Sequence, residues 1–235
     1  MAGLRKLYRS HVPTSFTEKA ILALDASVRS IADPRRADLV GVVGETTGAP
    51  ALRRMRDRMR ANAVGAQILL ERPRIRAETV SAHALAAMPG GSFGQAYHTY
   101  CERHRFDPDD RSDVRFVDEE ELAYVMTRYR ETHDFWHVLF ALPPTVLGEV
   151  ALKLVEAVQT GLPMCAAGAL FGGARVRFAQ SAQLLRVMPW AARAGLGASD
   201  LMCVRYEEHL AEPIDALRSR LRIEPCPPEL GGTGL

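Results

Sequence analysis

Apolar residues recur at three- and four-residue spacing along most of the chain, and no stretch alternates apolar and polar positions long enough to predict a strand. Ser15-Phe16-Thr17-Glu18 has the S/T-x-x-E form of a capping box and leads into Ile21, Leu22, Leu24 and Val28. That helix should stop at Asp33-Pro34, because the residue before proline is pushed out of the α region. Pro34 then opens a short helix through Val43, which Gly44 ends. "ETTGAP" reads as a turn, "ALRRMRDRMRANA" as a helix, "RPRIRAETV" as loop or extended chain, and "MPGGS" as a turn. "FGQAYHTYCERH" predicts a helix and "RFDPDDRSDVR" an exposed connection. A long helix follows from Asp118, with Glu119, Glu120 and Glu121 in its first turn, where the dipole favours anions.

Pro143-Pro144 ends that helix and restarts the chain as another, Thr145 to Thr160, closed by Gly161 and Pro163. Two or three more helices run through "FAQSAQLLRVMPWAARAG" and "LMCVRYEEHLAEPIDALRSRL". The expectation is an all-α fold: a single-domain multi-helix bundle over residues 14–224. An N-terminal extension, 1–13, precedes it, and a flexible tail, 225–235, follows.

Composition narrows the function classes. At 235 residues, 47% hydrophobic and 25% charged, the chain suits one globular domain with a real core. A net charge of +2 gives no argument for nucleic acid, and no apolar run approaches the roughly 18 to 20 residues that span a bilayer. Cys101, Cys165, Cys203 and Cys226 form no CxxC pair, which points to packed, reduced thiols rather than a thiolate metal site. The start, "MAGLRKLYRSHVPTSFTEK", is basic up to Glu18 and lacks a secretory apolar core; it matches the remnant of a mitochondrial presequence.

The chemistry concentrates in "HDFWHVLFALPPTVLGE", residues 133–149. On the long helix, Leu122, Val125, Met126, Tyr129, Trp136 and Phe140 mark the buried stripe. His133 stands 11 residues after Leu122 and His137 11 after Met126, about three turns in each case, so both imidazoles fall on that stripe. Asp134 lies on the flank of the same arc. Glu149 comes from the next helix, which the proline corner turns back antiparallel. Burying an ionised Asp beside two imidazoles costs several kcal/mol unless a cation compensates it. His133, Asp134, His137 and Glu149 form an N/O set suited to Zn²⁺, or to Co²⁺, Mn²⁺ or Fe²⁺. Spacing alone leaves two other readings open: core histidines satisfied by Tyr129 or by carbonyls, and a Glu149–Lys153 pair at i,i+4. A hydrolase of the HD phosphohydrolase kind would need an upstream His and a downstream Asp, for which only His98 and Asp200 offer themselves.

The pattern H-D-x-x-H-x(11)-E resembles the signature of the coenzyme Q (ubiquinone) biosynthesis protein 4 family. So do "GETTG" at 44–48, "GAQILLERPRI" at 65–75, "RFVDEEELAYV" at 115–125 and "EAVQTGLPM" at 156–164. The likeness runs from about His11 to about Ile223. It implies an all-α protein of ubiquinone biosynthesis, acting in a multi-enzyme complex peripheral to the matrix side of the mitochondrial inner membrane. The implied reaction is loss of the C1 carboxylate from 4-hydroxy-3-methoxy-5-polyprenylbenzoate, giving 2-methoxy-6-polyprenylphenol and CO₂. The family's zinc-ligand positions carry over to His133, Asp134, His137 and Glu149, which are the candidate catalytic residues as well. The alternative is a non-catalytic lipid-binding scaffold that gathers the other ubiquinone enzymes. A homodimer is compatible with either, and neither implies nucleic acid. Two further segments bear on the lipid: "LPMCAAGALFGGARV", residues 162–176, is rich in small residues that suit close packing, a channel or a dimer contact. The basic run 52–60 suits a solvated face or an anionic membrane surface.

Overall fold

The computed structural model describes residues 5–33, 36–173, 176 and 180–233, and these are all-helical apart from one isolated bridge between Ser92 and Pro213. The α-helices are α1 (Phe16–Ala32), α2 (Ala37–Thr47), α3 (Ala49–Ala61), α4 (Ala63–Glu71), α5 (Ala82–Ala86), α6 (Phe93–His104), α7 (Glu120–Leu139), α8 (Val146–Thr160), α9 (Pro163–Gly172), α10 (Ser181–Gly197) and α11 (Ile214–Leu221). Helix α7 is the axis of the molecule. Fourteen of its 20 residues are buried, as befits a helix surrounded on all sides, and α3, α4 and α6 pack on it. A second layer is built on α8, against which α9 and α10 lie.

Local signals account for most of these boundaries. The Ser15–Glu18 capping box forms as expected, and α1 stops at Asp33. Thr145 caps α8 through Gly148 N, and Gly161 closes it at φ 68°, a left-handed conformation that glycine adopts without strain. Between α7 and α8, a Cβ at Gly148 would lie 2.0 Å from the Pro143 carbonyl oxygen, so only glycine lets the first turn of α8 fold onto the proline corner.

Several expectations fail for identifiable reasons. Gly44 does not end α2; it is an interior residue, and a Cβ there would lie 2.3 Å from Met164 Sδ, so it is the point where α2 meets α9. "ETTGAP" is accordingly the end of α2 and the start of α3 rather than an open turn, with Pro50 in the first turn of α3. Residues 201–213, expected to be α-helical, form two 3-10 turns, Leu201–Cys203 and Tyr206–Glu208. There the buried Tyr206 hydroxyl accepts from Trp136 Nε1 and donates to the Leu201 carbonyl, 3.0 Å each, so tertiary packing overrides helix propensity. The apolar stripe of α1 faces outward: Phe16 is 86% exposed, Leu24 68% and Val28 59%. Of the segment expected to be a flexible tail, Cys226 N donates to the Phe140 carbonyl and Thr233 N to that of Ala141, both at 2.8 Å. Those carbonyls are left over where α7 ends, and the tail satisfies them. The described residues of the first segment, 5–13, are likewise tied down, with Tyr8 Oη donating to the Val117 carbonyl at 2.9 Å and Val12 N to that of Arg115 at 2.8 Å, while residues 1–4 lie outside the described residues. All four cysteines are free thiols, three of them buried, as expected of packed thiols.

Gly148→Ala should destabilise the protein by about 1–3 kcal/mol, the range of an overpacked contact. Urea unfolding followed by circular dichroism checks this, and a wild-type midpoint in the variant would show that the corner relaxes at no cost.

Candidate metal centre

His133 and His137 stand one turn apart on α7 with ring centroids 4.8 Å apart and planes at 87°. Glu149, in the first turn of α8, reaches both: its Oε1 is 3.0 Å from His137 Nε2 and its Oε2 is 3.8 Å from His133 Nε2. One ligand atom from each of these residues lies within 4.8 Å of the others. His137 is fully enclosed, whereas the Glu149 side chain is 39% exposed and forms the open side of the group. Contacts between the two helices run in opposite order, 137 to 149 and 133 to 156, so α7 and α8 are antiparallel across the site.

The fourth sequence-predicted residue stands apart. Asp134 pairs with Arg111 from the α6–α7 connection and is not in the three-residue group. At about 100° per residue it sits on the flank of the arc, where that arginine reaches it. His98 and Asp200 do not join the group either; Asp200 pairs with Arg58 at 2.8 Å and caps the turn at Leu201–Cys203.

Behind the histidines lies a layer that fixes their protons. The His137 Nδ1 is 3.1 Å from the Leu142 carbonyl, which can only accept, so Nδ1 carries a hydrogen and Nε2 is the nitrogen turned toward Glu149. His133 Nδ1 lies 2.5 Å from Oε1 of Glu156, a wholly buried carboxylate. The other Glu156 oxygen accepts from Lys153 Nζ at 2.6 Å and Tyr129 Oη at 2.8 Å, with Cys165 Sγ 3.6 Å away. Lys153 thus pairs with Glu156 and not, as the i,i+4 alternative had it, with Glu149.

Charge follows from these contacts. Burial opposes ionisation of Glu156, but the Lys153 ammonium and His133 outweigh it and hold the carboxyl well below its usual range. Burial also works against Glu149, yet His137 and His133 bring it down to about 2. Burial and the nearby Lys153 push His133 below its ordinary value, so it is a neutral imidazole at pH 7. Two imidazole nitrogens and an ionised carboxylate therefore face one point. His137 Nε2 is buried and has no hydrogen bond among the described residues, although Glu149 is 3.0 Å away. A divalent cation is the group that satisfies such a set, and His₂Glu with an open position suits Zn²⁺. The residues fit the ion.

Sequence reasoning missed Glu156 and Arg111, and it set Lys153 against Glu149 rather than Glu156. Glu156 follows Glu149 by seven residues, two turns of α8, so its place on the same face was available from spacing; its role was not, because Glu–Lys spacing on a helix normally marks a solvated surface.

The fold matches that of a solved chain from Nostoc punctiforme PCC 73102 with a TM-score of 0.69 at 19% identity, covering 86% of this chain and 97% of that one. It is an all-α architecture in which two histidines and a glutamate converge across an antiparallel helix pair. Residues 8–227 match the family model described as coenzyme Q (ubiquinone) biosynthesis protein Coq4. The mitochondrial ubiquinone biosynthesis protein COQ4 homolog of Aedes aegypti is 45% identical over 94% of this chain and 81% of its own length. The Rattus norvegicus homolog of the same name is 46% identical over 98% and 87%. The chain belongs to this coenzyme Q biosynthesis family.

Glu156→Gln should weaken Zn²⁺ or Co²⁺ binding by about 10- to 100-fold, the usual cost of losing a ligand's outer partner, with helical content retained. Competition with a chelating indicator measures it; unchanged affinity would remove Glu156 from any part in holding the ion.

Proposed function

We propose that this ubiquinone-biosynthesis protein is a metal-dependent carboxy-lyase. It removes the C1 carboxylate of 4-hydroxy-3-methoxy-5-polyprenylbenzoate to give 2-methoxy-6-polyprenylphenol and CO₂. The observation that carries the reading is the buried His137 Nε2, held without a hydrogen bond beside Glu149 and His133. His133, His137 and Glu149 hold the ion, with Zn²⁺ first and Co²⁺, Mn²⁺ or Fe²⁺ as substitutes. Asp134, the remaining position of the motif, completes the set by exchanging Arg111 for the ion. Bound there, the metal supplies Lewis acidity toward a carboxylate or phenolate oxygen, in a site dry enough for that charge to matter. Leu142 and Glu156 keep the Nε2 atoms of the two imidazoles free for it. The alternative role for Glu149, in place of ligation, is to carry the proton that C1 takes as the bond to CO₂ breaks.

A peripheral position on the matrix side of the mitochondrial inner membrane, among other enzymes of the pathway, belongs to the same proposal. No described helix is long and apolar enough to cross a membrane. The names of the relatives place those proteins in the mitochondrion. The basic run 52–60 contributes less than its sequence promises, because Arg56, Arg58 and Arg60 are paired with Glu119, Asp200 and Glu121. The outward apolar face of α1 is the better candidate for lipid contact. The same exposed face favours a second reading, the lipid-binding organiser of the other enzymes.

Purified protein, metal and a short-tailed substrate analogue should release CO₂, and His133→Ala and Glu149→Ala should each lower that rate by at least about a hundredfold at unchanged helical content. Full activity in either variant after chelation would overturn the assignment, and turnover with none of the pathway's other enzymes present would count against the organiser.

A further inference from the structure

Tyr100, on α6, stacks on His137 with centroids 5.7 Å apart and planes at 23°. It is 5% exposed, and its hydroxyl has no hydrogen-bond partner among the described residues. Buried hydroxyls are normally paired, because an unpaired one forfeits its bonds to water with nothing in return. A phenol is an O–H donor at neutral pH. Two orphaned polar atoms, His137 Nε2 and Tyr100 Oη, thus sit on residues stacked against each other. A cation at the first and an anionic oxygen of its ligand at the second would satisfy them in turn.

We propose that Tyr100 is a substrate-contacting residue whose hydroxyl donates a hydrogen bond to the carboxylate of an aromatic acid as that carboxylate enters beside His137 and Glu149. The inference rests on the carboxy-lyase reading and specifies how its substrate is held. It gives the protein a two-point grip on the group that leaves: the ion takes one oxygen, and a neutral phenol orients the other. The hydroxyl of Tyr97, one turn earlier on α6, is also unpaired, but its ring lies edge-on to Phe135 at 4.5 Å. Tyr100 and not Tyr97 stacks on His137, so Tyr97 serves as an internal control.

Tyr100→Phe keeps the ring and its stacking while deleting the donor. With Co²⁺-loaded protein and 4-hydroxy-3-methoxybenzoate as the calorimetric probe, the variant should bind at least about tenfold more weakly, the worth of one hydrogen bond to a charged oxygen. The Co²⁺ absorption spectrum and metal affinity should stay those of the wild type, and the thermal midpoint should hold or rise, because an unpaired buried group is gone. Tyr97→Phe should leave probe affinity unchanged. Wild-type binding with equal affinity in Tyr100→Phe overturns this inference alone. A Tyr100→Phe variant that loses stability and shifts the Co²⁺ spectrum shows a structural role and overturns it as well. A wild type that does not bind the probe overturns the functional reading and this inference together.

Discussion

A single buried carboxylate organises the molecule. Glu156 is wholly enclosed, and it is ionised there because Lys153, Tyr129 and His133 together replace its water. Those partners come from both sides of the α7–α8 pair, so the charge fixes how the two helices face each other. It also decides which nitrogen of His133 carries a hydrogen. Were Glu156 neutral, His133 would lose the acceptor that sets its tautomer, and its Nε2 would no longer be committed to the side where Glu149 stands.

The second constraint is the corner that aims Glu149. Pro143-Pro144 interrupts the chain, Thr145 restarts it, and Gly148 permits the close approach to the Pro143 carbonyl. The Leu142 carbonyl, on the same corner, holds His137 Nδ1. One short turn therefore controls both the carboxylate and one imidazole, while the other imidazole is set from within the helix pair. The site is built from rigid elements on its inner side and opens at Glu149, an arrangement that suits binding of a ligand from outside.

Much of this was legible in the amino-acid order. Capping residues, the proline pair and Gly161 located α1, α7 and α8, and an eleven-residue offset from the apolar stripe put His133 and His137 on the inner face. The Glu149 contribution followed from the corner. What spacing could not say is which of two faces a helix buries: α1 has an apolar stripe that points outward, because α2 packs against its other side. Nor could it distinguish a glycine that stops a helix from one that admits a neighbour, as Gly44 does for Met164. Asp134 stands beside His133 in the sequence, and in the structure Arg111, which comes from a connection with no periodicity, pairs with it. Long-range partners of that sort leave no local trace. Lys153 is a different case: its partner Glu156 is only three residues away, and the pair looks in the sequence like an ordinary surface pair.

The strap formed by Cys226 and Thr233 has a practical corollary for anyone handling this chain. Composition alone marks the final segment as dispensable, yet Thr233 is bound 92 positions away, at Ala141, beside the turn that carries Glu149. Trimming the polypeptide after residue 224 for crystallisation, or fusing a bulky partner close behind it, would loosen the bend that brings Glu149 to His137. A clipped protein that keeps its helices would then differ from the intact molecule at the one turn where Glu149 meets His137.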